Sequence, residues 1–190
     1  MFFGPPVGDV AAILLGLLGL FIALWLLSVA SGWITERIWK GKARMKNTLT
    51  ELEAIMFMAL PRLLSISEAE SSLHRDAGKW SKKEILGHLI DSASNNHQRF
   101  VRAQLSSEIR LPEYEQTEWV KTQGYQTESW ESLIALWKAY NLHLLHIAAG
   151  ISNDRLASLC FIGDNKPVTL EALVADYVRH LKHHVQQIIS

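Results

Sequence analysis

The sequence predicts an all-α chain: a four-helix bundle preceded by a long apolar helix. Two observations carry that expectation. Apolar residues recur at three- and four-residue spacing in four separate segments, and one long crossover, 105–127, interrupts their otherwise short connections. A third, the charge-free run from Val10 to Ala30, sets the N-terminus apart from the rest.

That run would extend roughly 31 Å as a helix, enough to span a bilayer. Asp9 is the only charged side chain before it, whereas Arg37, Lys40, Lys42, Arg44 and Lys46 follow against a single Glu36. The sequence therefore predicts a transmembrane helix over about 10–35, with the C-terminal domain anchored on the cytoplasmic side and Trp33 and Trp39 near the interface. Two other readings compete. Ser28-Val29-Ala30 has the small-x-small form of a signal cleavage site, although no basic residue precedes the run. A natural start at Met45 would leave a cytoplasmic protein without the upstream stretch. On this reading residues 1–45 form a membrane segment with a basic flank, and 46–190 the bundle.

The first bundle helix runs from Met45 to about Ser67 on Leu49, Leu52, Ile55, Met56, Ala59, Leu60 and Leu63, with Asn47 or Thr48 as N-cap and Pro61 kinking or ending it. A polar connection follows as far as Lys79. Ser81-Lys82-Lys83-Glu84 then has the spacing of a capping box and opens the second helix, which continues to about Gln104. The crossover contains Pro112, Gly124, Tyr114, Trp119 and Tyr125; a connection of that length carries function or structure of its own. Thr127 caps a third helix through about Ala149, ended by Gly150, on which His143 and His146 read as packing or surface residues. The 154–169 stretch reads as irregular, and Thr169 caps the last helix.

That last helix carries the chemistry. Arg179-His180-Leu181-Lys182-His183-His184 sets three of the eight histidines within five positions. At about 100° per residue, His180 and His184 lie one above the other beside the apolar arc of Leu170, Leu173, Val174, Tyr177, Leu181, Val185 and Ile188, and His183 points away. Both could converge on one cation, or both could be surface imidazoles favoured by the helix C-terminus. A third ligand has to come from another helix. On the second, His97 falls nearer the middle of the apolar arc and His88 at its edge, so the wheel leaves both open.

The totals exclude some classes. With 190 residues, 48% hydrophobic, and 19 basic against 19 acidic side chains, the chain lacks the basic excess of a nucleic-acid binder. Cys160 is the single cysteine and sits in an apolar Leu-Cys-Phe-Ile setting, which excludes an intramolecular disulfide framework and reads as a buried thiol. Broad apolar faces allow a homodimer.

Trp80-Ser81 leading to Gly87-His88-Leu89-Ile90-Asp91-Ser92, and His180-Leu181-Lys182-His183-His184-Val185-Gln186-Gln187-Ile188, together resemble the paired motifs of the DinB/YfiT-like superfamily, a likeness covering about 46–190. Trp119-Val120, Gly124-Tyr125 and Trp130 resemble a DinB-like subgroup. The resemblance implies a bundle holding a divalent metal, Zn²⁺, Ni²⁺ or Fe²⁺, on His88, His180 and His184, which selects His88 over His97. It also implies a small-molecule substrate and a bacterial enzyme of hydrolase type or of transferase type with a low-molecular-weight thiol as cosubstrate. Asp91, one turn beyond His88, is the candidate catalytic residue, as a base or by orienting an imidazole, against the reading that it is an exposed helical carboxylate. Gln187 is placed to hydrogen-bond a ligand. The alternative function is a non-catalytic, metal-stabilised bundle serving as a stress-related binding module.

Overall fold

The computed structural model describes the backbone of residues 7–76 and 78–190, and side chains at 20–22, 24–29, 35–36, 39–76 and 78–190. In chain order the elements are α1 (Val7–Ser65), α2 (Glu68–Ser72), α3 (Lys82–Leu105), β1 (Glu108–Leu111), α4 (Gln116–Gln123), a 3-10 turn (Tyr125–Thr127), α5 (Trp130–Ala149), β2 (Leu159–Ile162), β3 (Val168–Thr169) and α6 (Leu170–Ile189). The chain divides into two compact units, 1–40 and 41–190, and the bundle is the second.

The N-terminal expectation is corrected. Among the described residues no helix is long and apolar enough to cross a membrane. This overturns the transmembrane helix over 10–35, the membrane as a partner and the membrane-anchored placement of the domain. Positions 10–19, 23 and 30–34 of the expected span lie outside the described side chains. Neither Asn47 nor Thr48 is an N-cap, because the helix begins at Val7. Inside a helix the Thr48 hydroxyl instead donates back to the Arg44 carbonyl at 3.0 Å.

Four helices enclose the core: the 41–65 portion of α1, α3, α5 and α6. Each contributes an apolar stripe, for example Leu52, Ala59 and Leu63 from α1, Leu133, Trp137 and Leu144 from α5, and Leu173, Leu181 and Ile188 from α6. A buried polar link joins two of them, the Tyr177 hydroxyl donating to Asn141 Oδ1 at 2.6 Å. Pro61 removes a backbone donor one turn before α1 ends at Ser65, and the Trp130 indole supplies the terminal Leu63 carbonyl with a donor at 2.9 Å. Lys83, 2% exposed, reaches across from α3 to the Glu68 carboxylate and to the Glu128 carbonyl at 2.6 Å, pinning α2 and the start of α5 together.

The cap at Ser81 forms as the sequence predicts, as a full capping box with Glu84. The cap of α5 does not: Ser129 accepts from the Ser132 amide, while the Thr127 hydroxyl is taken by the Gly124 carbonyl within the 3-10 turn. The irregular stretches also hold a small sheet in the order β1-β2-β3. In it β1 and β2 run parallel with Ile109 opposite Cys160, and β2 and β3 run antiparallel with Cys160 opposite Val168. The sheet has one role at the site: it carries Cys160 and Ile162 to the wall of the cavity described below.

Candidate metal centre

Three imidazoles converge between α3 and α6. The ligand nitrogens of His88, His180 and His184 lie within 4.8 Å of one another, and they are the only such group of His, Cys, Asp or Glu found among the described residues. His88 Nε2 stands 3.0 Å from His180 Nε2, and the ring centroids are 4.5 Å apart for His180 and His184 and 4.9 Å for His88 and His184. His88 is 0% exposed and the other two are half-buried. His183 is exposed, as its place on the wheel predicts.

The wheel of α3 is misleading for His88 and His97. The histidine at the supposed edge is fully buried, whereas His97 is half-exposed beside His143 and Tyr140. Residues 86–93 are buried without a gap, because the crossover covers the side of α3 that the bundle leaves open. Tyr125 lies at the centre of that cover.

Gly87 admits it: a Cβ there would stand 2.1 Å from the Tyr125 ring, so only glycine allows the ring to lie flat on the helix. Held there, the Tyr125 hydroxyl donates to Asp91 Oδ1 at 2.7 Å, and the Gln123 amide donates to the same oxygen. Asp91 is thus 1% exposed, which overturns its reading as an exposed carboxylate, and it hydrogen-bonds the crossover rather than an imidazole. The roles of Gly87, Gln123 and Tyr125 are absent from the sequence reading; the unexplained glycine beside a histidine was the available signal.

Gln187 fixes the His184 ring. Its Oε1 accepts from His184 Nδ1 at 2.8 Å, which leaves the Nε2 lone pair free, and its amide donates to His183 Nε2 at 3.0 Å. Ser92 Oγ lies 3.5 Å from His180 Nδ1, and Trp80 packs on His88 with ring centroids 5.1 Å apart. Two buried atoms one turn apart on α3, His88 Nδ1 and Asp91 Oδ2, have no partner among the described residues.

Burial, followed by the neighbouring imidazoles, lowers His88 from 6.5 to about 3. Burial and then His184 lower His180 to about 4, and burial lowers His184 against the opposing Gln187 bond. At neutral pH the three imidazoles are therefore uncharged, the form in which an imidazole can bind a metal. Burial raises Asp91 from 3.8 to about 6, against the Tyr125 hydrogen bond.

These shifts predict an acid-sensitive, metal-free chain. Between the depressed folded values, about 3 and 4, and the unfolded 6.5, unfolding lets the histidines take up protons, so stability falls with pH in that window. Asp91 acts in the opposite sense: between 3.8 and 6 the folded carboxyl keeps a proton that the unfolded one has lost. Three imidazoles outweigh one carboxyl, so thermal melts in chelator should fall in midpoint from about pH 7 to about pH 4.5. Asp91→Asn should steepen the fall; an equal or shallower slope in the variant would contradict this assignment.

His180 also faces a cavity of about 640 Å³. Its walls include Glu113, Tyr114 and Gln116 of the crossover, Cys160 of β2, and Ser92 and Arg99 of α3. The histidine group therefore has an open side.

Residues 51–188 match the DinB superfamily. A "putative metal-dependent hydrolase" of Geobacillus thermodenitrificans (strain NG80-2) is 25% identical over 118 residues, 62% of this chain and 66% of the relative, so the match spans just under two thirds of that protein. YfiT from Bacillus subtilis, "a probable metal-dependent hydrolase with an unusual four-helix bundle topology", superposes with a TM-score of 0.68 at 18% identity, covering 76% of this chain and 83% of YfiT. The mycothiol-dependent maleylpyruvate isomerase gives 0.65 at 14% identity, over 76% of this chain and 60% of its own. At these identities the structural likeness is one of fold.

Proposed function

The chain belongs to the DinB superfamily, and from that premise we propose that it is a metal-dependent enzyme for a small-molecule substrate, with His88, His180 and His184 holding one divalent cation. One observation carries the reading: His180 belongs both to the converging histidine group and to the wall of the cavity. A site that only stabilised the bundle would have no need of that opening, so the geometry favours an enzyme over a non-catalytic binding module.

The donor set suits the ion. Nitrogen ligands about 2.0–2.1 Å from Zn²⁺ in tetrahedral geometry stand roughly 3.4 Å from each other, and the nitrogens here lie from 3.0 Å apart to within 4.8 Å. Three neutral imidazoles suit Zn²⁺, Ni²⁺ or Fe²⁺ and leave room for a further ligand. Bound there, the cation would supply a Lewis acid able to acidify a thiol or water, or to polarise a carbonyl.

The chain's own residues do the rest. Gln187 holds His184 in the tautomer that offers Nε2. Asp91 Oδ2 is assigned as the acceptor that orients His88 through its Nδ1 by way of one water, which would satisfy both unpartnered atoms at once. Asp91 is then a positioning residue more than a base, since Oδ2 is sealed from solvent. Trp80 and the crossover shield the ligands from bulk water.

Hydrolase and thiol-transferase readings separate in one assay. With the metal-loaded chain, turnover of an electrophile that requires an added low-molecular-weight thiol identifies the transferase, and thiol-independent ester hydrolysis identifies the hydrolase. Activity unaffected by a chelator would dismiss both.

A further inference from the structure

The cavity beside His180 contains a cation that the protein does not satisfy. Arg99 lines it from α3, half-buried, and its guanidinium makes no hydrogen bond or ion pair among the described residues. Of the other charges in its wall, Arg179 pairs with Asp176 and Glu113 accepts from the Asn165 amide, while Lys166 is exposed to solvent, unlike the half-buried Arg99. Burial lowers the Arg99 pKa from its ordinary value, with Tyr114 and Cys160 the largest opposing influences. A partly desolvated guanidinium without an acceptor is costly, and its planar fork fits a carboxylate with two parallel hydrogen bonds.

The position of Arg99 adds a length. Ser92, Asn96 and Arg99 follow one another along the face of α3 that lines the cavity, and Ser92 is the residue beside His180. Seven residues beyond Ser92 is about 10 Å along the axis, and helical side chains lean back towards the N-terminus, here towards the histidines. A ligand with one end at the histidines therefore meets Arg99 a few carbons away.

We propose that Arg99 binds a carboxylate of the substrate, so that the enzyme takes small carboxylic acids whose reacting group lies several carbons from the acid. The inference rests on the proposed metal-dependent function and adds its substrate class. Inorganic phosphate fits less well, because it is too short to engage Arg99 and the histidines at once.

Calorimetric titration of the full chain loaded with Zn²⁺ tests this, using adipate and 1,6-hexanediol as probes. Adipate should bind at least tenfold more weakly to Arg99→Gln than to the wild type, with metal content and melting temperature unchanged, and hexanediol should bind to neither. Arg99→Lys, which keeps the charge and the stem but loses the fork, should fall between them and guards against loss of fold in the first variant. Equal adipate binding by wild type and Arg99→Gln would overturn the proposal, as would tighter binding of inorganic phosphate than of adipate. If the wild type retains no Zn²⁺, the metal reading fails separately, and the same adipate comparison on the metal-free chain still decides the role of Arg99.

Discussion

Replacing His180 and His184 together by alanine is expected to lower the divalent metal from about one ion per chain to none and to abolish metal-dependent turnover. The physical reason is the donor count. One imidazole, His88, would remain, and a single neutral nitrogen does not hold a first-row cation against water. The pair is a better choice than His88 because both rings are half-buried at the cavity, whereas His88 is 0% exposed among packed side chains and its truncation would also open a void. The metal-free double variant should therefore melt near the metal-free wild type, and should lose the share of the acid sensitivity that His180 and His184 impose while the buried His88 keeps its own. His183→Ala serves as the control: it removes an exposed imidazole of the same helix and should leave metal content intact. Metal analysis of the three purified chains checks the set. Stoichiometric metal in the double variant would sink the three-histidine assignment.

How far that site could be read in the sequence differs between its two halves. His180 and His184 are one turn apart on one helix, so local geometry alone brings them together, and a wheel suffices. His88 required contacts that no wheel contains. A helical wheel assumes one buried face, and the 86–93 stretch has none to distinguish because the bundle covers one side and the crossover the other. His97 lies two turns further on, beyond that cover, and ends half-exposed despite its central place in the apolar arc. The family resemblance selected His88 where periodicity could not. The short sheet escaped for a different reason: strands of four, four and two residues are too brief for alternation to register, and the pairing of β1 with β2 joins positions some 50 residues apart. The N-terminal run shows the opposite failure. Its composition argued strongly for a membrane span, yet no described helix meets the length and apolarity that a span requires.

The crossover's grip on α3 leads to the other large effect expected, in Gly87→Ala. At an ordinary helical position this change stabilises by about 1 kcal/mol, because alanine gives up less backbone freedom than glycine. Here the sign should reverse. The added Cβ would lie 2.1, 2.3 and 2.5 Å from three atoms of the Tyr125 ring, and the ring has little freedom to yield, being 3% exposed with its hydroxyl tied to Asp91 at 2.7 Å. Either α3 and the 3-10 turn move apart or the tyrosine leaves, and then the buried Asp91 loses a donor. Overpacking and a lost buried hydrogen bond each cost about 1–3 kcal/mol, so a net destabilisation of about 2–4 kcal/mol is expected in urea melts. In a Tyr125→Ala background the clash is gone, and Gly87→Ala should return to neutral or mildly stabilising; an equally large loss in both backgrounds would mean that the ring is not the obstacle. The consequence for function follows from the same contact. Glu113, Tyr114 and Gln116 wall the cavity from the segment that Tyr125 and Gln123 fasten to Asp91. Releasing it should lower turnover in Gly87→Ala while the three histidines, all on α3 and α6, keep their metal.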